Sequence, residues 1–175
     1  MPKQGVTVLR AAKAKAAKPK APADGAGPTV AQNRRGRFDY EIIQSYDAGI
    51  ALLGSEVKAV RAGHATIGEG YARFRGPELF LHNVHIGPYG PARENHEPLR
   101  TRKLLLHRRE LERLCHEMEI QPRSTIIPLR MYLSHGVIKV QIALAQGKRS
   151  YDKREAIRER EADRTMQRAI RHAQR

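Results

Sequence analysis

The chain has 175 residues, 33 Lys+Arg against 18 Asp+Glu, a formal net charge of +15 and one cysteine. That length suits one domain plus tails, no apolar run approaches the roughly 20 residues of a membrane span, and a single cysteine excludes an intrachain disulfide framework. The basic surplus points to a polyanionic partner, either nucleic acid or an anionic membrane surface; no hydrophobic signal segment stands out, and the single cysteine makes a cytoplasmic chain the simplest reading.

Residues 1–32, 33–146 and 147–175 each carry a net charge of +5. The two ends are therefore far denser in charge than the middle. The first segment includes AAKAKAAKPKAPADGAGP, with no aromatic and no periodic apolar face. It is expected to be a disordered basic arm. Residues 33–146 are long enough to bury one core.

In chain order, RFDYEI places Phe38, Tyr40 and Ile42 at period two, a strand, and YDAG (46–49) reads as a turn into GIALLG. SEVKAVRAG predicts one short helix ended by Gly63. YARFR and ELFLHNVHI predict two more strands, separated by Gly76-Pro77. GPYGPARENHEP reads as a loop. RKLLLHRRELERLCHEM predicts a long helix, with Leu104, Arg108, Leu111, Cys115 and Met118 at i, i+4, i+7, i+11 and i+14, flanked by Leu105 and Leu114. IIPLRMYL and VIKVQIALA predict a hairpin through Ser134-His135-Gly136, with Ile138, Val140, Ile142 and Leu144 on one face. Short strands with few helices suggest a mainly β fold, a small antiparallel barrel or a strongly curled sheet.

Gly147 ends this order. In the tail, YDKREAIRERE has eight charged residues in eleven, and only Ala156 and Ile157 could anchor it to a core. The segment is helix-friendly, with little to pack against. It is either solvated or awaits a partner that supplies the missing surface.

No catalytic constellation stands out. His82 and His85 are three apart on a predicted strand and point to opposite faces, which does not suit a shared metal. Cys115 falls on the apolar stripe of the long helix and reads as a buried thiol. Gly147-Lys148-Arg149-Ser150 has the flavour of a phosphate loop, but Ile142 stands where the earlier glycine belongs. Neither metal, cofactor nor enzymatic activity is expected. The basic clusters are the positive signal: Arg34, Arg35 and Arg37 before the first strand, then Arg100, Arg102 and Lys103 before the long helix, with Arg108 and Arg109 a turn later. With no Trp, three Phe and six Tyr, recognition by shape and phosphate is favoured over stacking, which suits structured RNA.

The motifs NRRGRFDYEI, GSEVKAVRAGHATI, NHEPLRTRKLLLHRRE and GKRSYDKREAIRERE together resemble the small protein B family, the tmRNA-binding (SsrA-binding) proteins of bacterial trans-translation. The resemblance spans about residues 30–175. It implies an antiparallel OB-like β-barrel with packed helices and no enzymatic activity. It also implies binding to the tRNA-like domain of tmRNA, as a monomer in a one-to-one complex. On ribosomes stalled on mRNA that lacks a stop codon, the barrel would stand where an anticodon arm sits, and the tail would enter the vacant mRNA channel as a helix.

Site residues carried over by this resemblance are Asn33, Arg35 and Arg37 at the start of the barrel, and Asp47, where the family usually has Glu. Leu105 and His107 of KLLLH match positions implicated in tmRNA binding, and Arg102 and Lys103 supply basic contacts beside them. Asp152, Lys153 and Arg154 match the ribosome-engaging tail motif, and the apolar Ile157 and Met166 of the same tail are expected to engage the ribosome with them. Ala162, Met166, Ala169, Ile170 and Ala173 fall on one helical stripe there. Two alternatives remain open: a general rRNA-binding or ribosome-associated protein, and an RNA-processing enzyme that uses the barrel for grip.

Overall fold

The computed structural model describes residues 27–148 and 165–166. It is mainly β. The strands are β1 (Thr29–Gln32), β2 (Tyr40–Ile50), β3 (Ala65–Thr66), β4 (Tyr71–Arg75), β5 (Glu78–His82), β6 (His85–Ile86), β7 (Arg102–Leu105), β8 (Ser124–Ser134) and β9 (Val137–Gly147). The helices are α1 (Gly36–Asp39), α2 (Gly54–Arg61) and α3 (Arg108–Ile120). Seven strands form one antiparallel sheet in the order β1-β8-β4-β5-β7-β2-β9, and β8 also pairs with β9. The pairings β4–β5–β7–β2–β9–β8–β4 therefore return on themselves.

Several predicted elements stand. The β4–β5 hairpin turns at Gly76, whose φ is +61°. α2 is followed by Gly63 at φ +84°. The β8–β9 hairpin turns through His135 and Gly136, both at positive φ, as a two-residue type I′ turn requires.

Others differ, for identifiable reasons. The YDAG segment does not turn. It lies inside β2, with Tyr46 and Ala48 buried and Asp47 exposed. Gly49 answers to Leu105 across the β2–β7 pair: a Cβ there would stand 3.3 Å from Leu105 Cβ. The glycine marks a close approach of strands and not a reversal. Phe38 is in the single turn of α1, so the first long strand begins only at Tyr40.

The long helix begins at Arg108, and RKLL forms β7 instead. Three consecutive leucines satisfy either period, and pairing with β2 and β5 decides it. On α3 the side that packs inward carries Leu111, Leu114 and Met118, while Cys115 is exposed. The expectation of a buried thiol fails because the stripe is offset by one residue. The arm expected over 1–32 also gives up its last four residues to β1, where buried Ala31 joins the core and Gln32 pairs with Arg130.

The main core cluster gathers Ala48, Leu79, Leu81, Leu104, Ile126, Met131, Ile138, Val140, Ile142 and Leu144 from the strands and Leu114 from α3. Each fully buried aliphatic side chain contributes roughly 1.5–3 kcal/mol. A smaller cluster of Ile127, Leu129, Ala143 and Ala145 occupies the opposite face of β8 and β9. α1 covers it: a Cβ on Gly36 would lie 3.3 Å from Ile127 Cδ1. Part of β9 is therefore buried on both faces, not on one.

Candidate nucleic-acid interface

Strand register builds the site. On β2, Asp47 sits opposite Gln141 of β9, which sits opposite Arg130 of β8. Two residues along, Gly49 sits between Leu105 of β7 and Lys139 of β9, and Lys139 sits opposite Tyr132 of β8. Because strand residues alternate between faces, these two rows share the outer face, away from Val140 and Ile142. Lys103 lies two residues before Leu105 on the same side of β7. Asp47, Lys103 and Leu105 are thus gathered from distant segments, and His107 follows as the exposed N-cap of α3.

The polar contacts on this face are specific. The Tyr132 hydroxyl donates to Asp47 Oδ1 at 2.9 Å, and the Arg130 guanidinium lies 4.7 Å from the Tyr132 ring centroid. Burial, then the hydrogen bond and charge of Asp47, push the Tyr132 hydroxyl up to about 12. It therefore stays protonated, as a donor. Lys103 Nζ pairs with the Glu78 carboxylate. Beside this face a groove of about 720 Å³ runs between the β4–β5 turn, β7 and α3, lined by Phe74, Leu105, Leu111 and Cys115 and edged by Lys103 and Arg108.

The first basic cluster is elsewhere. Arg34, Arg35 and Arg37 are exposed around α1. Tyr40, where α1 joins β2, is seven residues and roughly 23 Å along the strand from Asp47. Asn33 is buried and committed: its Nδ2 donates to Pro128 O at 3.1 Å, and its Oδ1 accepts the Gly36 amide at 2.8 Å. It anchors α1 on β8 and positions the arginines, so the expectation of direct RNA contact does not suit it.

Arg102 is also misread by sequence. It alternates with Lys103 and therefore faces inward, with no solvent exposure. Its guanidinium meets Glu56 and donates to the carbonyls of Val84, Arg100 and Pro98. No N–H fork remains at the surface for RNA. His82 and His85 lie on strands of different sheets, and among the described residues no group of three or more His, Cys, Asp or Glu forms a metal-binding cluster. Met166 is helical and 65% exposed, whereas Asp152, Lys153, Arg154 and Ile157 lie outside the described residues.

Arg130, Tyr132 and Lys139 were missed. The apolar alternation of the last hairpin marks its inward face, and the signal for these residues is the complement of that alternation. The positions between Ile138, Val140 and Ile142 hold Lys139 and Gln141, and these mark the outward face.

A family model described as SmpB protein matches residues 30–172. An SsrA-binding protein from Synechococcus sp. (strain JA-3-3Ab) is 50% identical over 144 residues, covering 81% of this chain and 93% of that protein. One from Trichodesmium erythraeum (strain IMS101) is 52% identical over 143 residues, with 81% and 91% covered. Among solved structures, a chain from "tmRNA-SmpB: a journey to the center of the bacterial ribosome" matches with a TM-score of 0.58 and 47% identity, over 73% of this chain and 93% of that one.

Proposed function

The chain belongs to the SmpB family, and on that premise we propose that it is a tmRNA-binding protein of trans-translation. It binds the tRNA-like domain of tmRNA and delivers it to stalled ribosomes. It acts as an RNA-binding partner without bond-making chemistry of its own, and works in the cytoplasm, where ribosomes stall.

One observation carries this reading on the structural side. Asp47 and Leu105, which the family resemblance ties to tmRNA binding, lie one register step apart on the same outer face, with Lys139 and Arg130 beside them. The closed circuit of strand pairings supports an OB-like barrel as the scaffold of that face. Lys139, Arg130 and Lys103 meet phosphate. Leu105 and His107 meet the RNA surface. Arg35 and Arg37, on α1, form a second basic surface. The barrel occupies the position of an anticodon arm, and the tail follows the empty mRNA channel as a helix. There the exposed Met166 gives the groove an apolar side chain to cover.

RNA that co-purifies with the chain from its own cells tests the reading: one abundant tRNA-like RNA is expected. A mixture of ribosomal fragments would favour a general rRNA-binding protein instead. Replacing Asp152, Lys153 and Arg154 together by Ala changes net charge by one unit only. Affinity for free tmRNA should hold while tag addition in a reconstituted stalled reaction is lost.

A further inference from the structure

Asp47 is out of place on a face meant for RNA. Phosphate accepts hydrogen bonds and donates none, so a carboxylate among cations repels the RNA backbone unless it meets a donor. The donors RNA offers are nucleobase N–H groups and ribose 2′-hydroxyls. Asp47 is also not neutralised by its neighbours. Arg130 and Lys139 share its face, yet among the described residues it joins no ion pair. Its partner is a neutral hydroxyl, Tyr132, at 2.9 Å.

That contact is built, not incidental. Tyr132 is on β8 and Asp47 on β2, with β9 between them, so three strands must hold register for the two to meet. Tyr132 is only 4% exposed, and Arg130 lies over its ring at 4.7 Å. The ring has little freedom, and its hydroxyl is aimed at one carboxylate oxygen. Asp has one methylene fewer than Glu, so Asp47 has little reach with which to search for a partner. A fixed carboxylate with one oxygen held loses less entropy on meeting a ligand donor.

We infer that Tyr132 is a positioning residue for Asp47, holding Oδ1 so that the carboxylate accepts an N–H or O–H donor of the bound RNA and reads that RNA instead of neutralising charge. The inference rests on this face being the tmRNA surface.

The test is titration of the full chain against RNA carrying the tRNA-like end of tmRNA, at several salt concentrations. Tyr132→Phe keeps the ring beneath Arg130 and removes only the hydroxyl. Asp47→Ala removes the reading group, and Asp47→Asn keeps its shape in case the alanine variant unfolds. Asp47→Ala and Tyr132→Phe should each weaken binding about 10-fold, on the scale of a hydrogen bond to a charged group. The double variant should bind no more weakly than Asp47→Ala alone, because Tyr132 acts through Asp47. The salt slope should stay unchanged in both, whereas Lys139→Ala should lower it by about 0.7–0.9. Replacing ribose by deoxyribose cancels the Asp47 effect if the donor is a 2′-hydroxyl, and leaves it if the donor is a nucleobase.

Additive losses would reduce Tyr132 to a structural role. Tighter binding by Asp47→Ala or Asp47→Asn would mean that the carboxylate only repels phosphate. Either result overturns the inference while leaving the function standing. A wild-type chain with no preference for the tRNA-like RNA over ribosomal fragments would overturn the functional reading itself.

Discussion

The Glu56 carboxylate and the Arg102 guanidinium meet at 2.9 Å with neither side chain exposed to solvent. Arg100 reaches the other carboxylate oxygen at 2.6 Å, and the Leu53 amide donates to the same oxygen at 2.7 Å. One buried charge group thus ties α2 to β7 and to the loop before it, where buried His96 adds contacts to Ser55 Oγ and Ile86 O at 3.0 Å each. Holding Arg102 inward is what turns Lys103 and Leu105 outward. Removing one member of such a pair leaves the other buried and unpaired, at a cost of about 3–5 kcal/mol. Glu56→Gln should lower stability by that order in urea unfolding, with the midpoint shifted and m unchanged.

The same group gives an acid signature. Burial pushes the Glu56 carboxyl up, but hydrogen bonds from Arg100 and the Leu53 amide, with the charge of Arg102, outweigh it and hold the carboxyl below its ordinary 4.5. Its contribution to stability is therefore complete above pH 4.5 and is lost as the pH falls through the lower folded-state value. The wild-type chain should lose stability more steeply in that acid range than Glu56→Gln does. Denaturant midpoints measured across the range decide it.

An alkaline signature comes from the tyrosines. Tyr46 donates to Glu117 Oε2 at 3.1 Å, tying β2 to α3. Burial, then the charge and hydrogen bond of Glu117, raise its hydroxyl well beyond the ordinary 10.0. Tyr132 is pushed up to about 12. These two of the six tyrosines should stay un-ionised in an ultraviolet titration at pH ~11, where an ordinary tyrosine near 10 has ionised. The stability they contribute is full below pH 10 and declines above it, since the folded state holds its protons longer. Glu117→Gln should let Tyr46 ionise at lower pH and leave Tyr132 unmoved.

Gly49 is a test of the β2–β7 contact. With Leu105 Cβ 3.3 Å from where a side chain would begin and fixed to the β7 backbone, Gly49→Ala should cost some stability, because the two strands must part by a few tenths of an ångström. Gly49→Val should cost about 1–3 kcal/mol by overpacking. Both displace Leu105, so both should weaken tmRNA binding. Thermal unfolding and RNA titration of the two variants check this; unchanged RNA affinity in both would remove Leu105 from the interface.

Elements whose signals are local were legible in the sequence. The β4–β5 hairpin, α2 with Gly63, and the His135-Gly136 turn each depend on residues a few positions apart. What was not legible depends on partners far along the chain. Gly49 looks like a turn until Leu105 is placed opposite it. Arg102 looks like an RNA contact until Glu56, 46 residues away, takes its guanidinium inside. Asn33 looks exposed until Pro128 claims its amide. The candidate site was half visible for the same reason. Asp47 and Leu105 came from motif resemblance and Lys103 from its basic cluster, whereas Arg130, Tyr132 and Lys139 required the register of β2, β9 and β8.

Leu104 and Leu105 form the sharpest contrast, because they are neighbours of identical chemistry. β7 alternates, so Leu104 is 2% exposed within the main core and Leu105 is 51% exposed on the outer face. Leu104→Ala removes packed atoms from a site lined by other strands and should cost about 2–5 kcal/mol. Leu105→Ala removes atoms already half in water and should stay within about 0.5 kcal/mol. Their effects on RNA should be reversed. On the proposed tmRNA surface, Leu105→Ala removes an apolar contact, so affinity should fall while the fold stands. Leu104→Ala should bind normally once corrected for the unfolded fraction. Urea unfolding and tmRNA titration of each variant separate the cases. Equal stability losses would be the outcome for two leucines both packed against a core, and would contradict β7 as a strand. Loss of RNA affinity in neither would leave the outer face without its apolar contact.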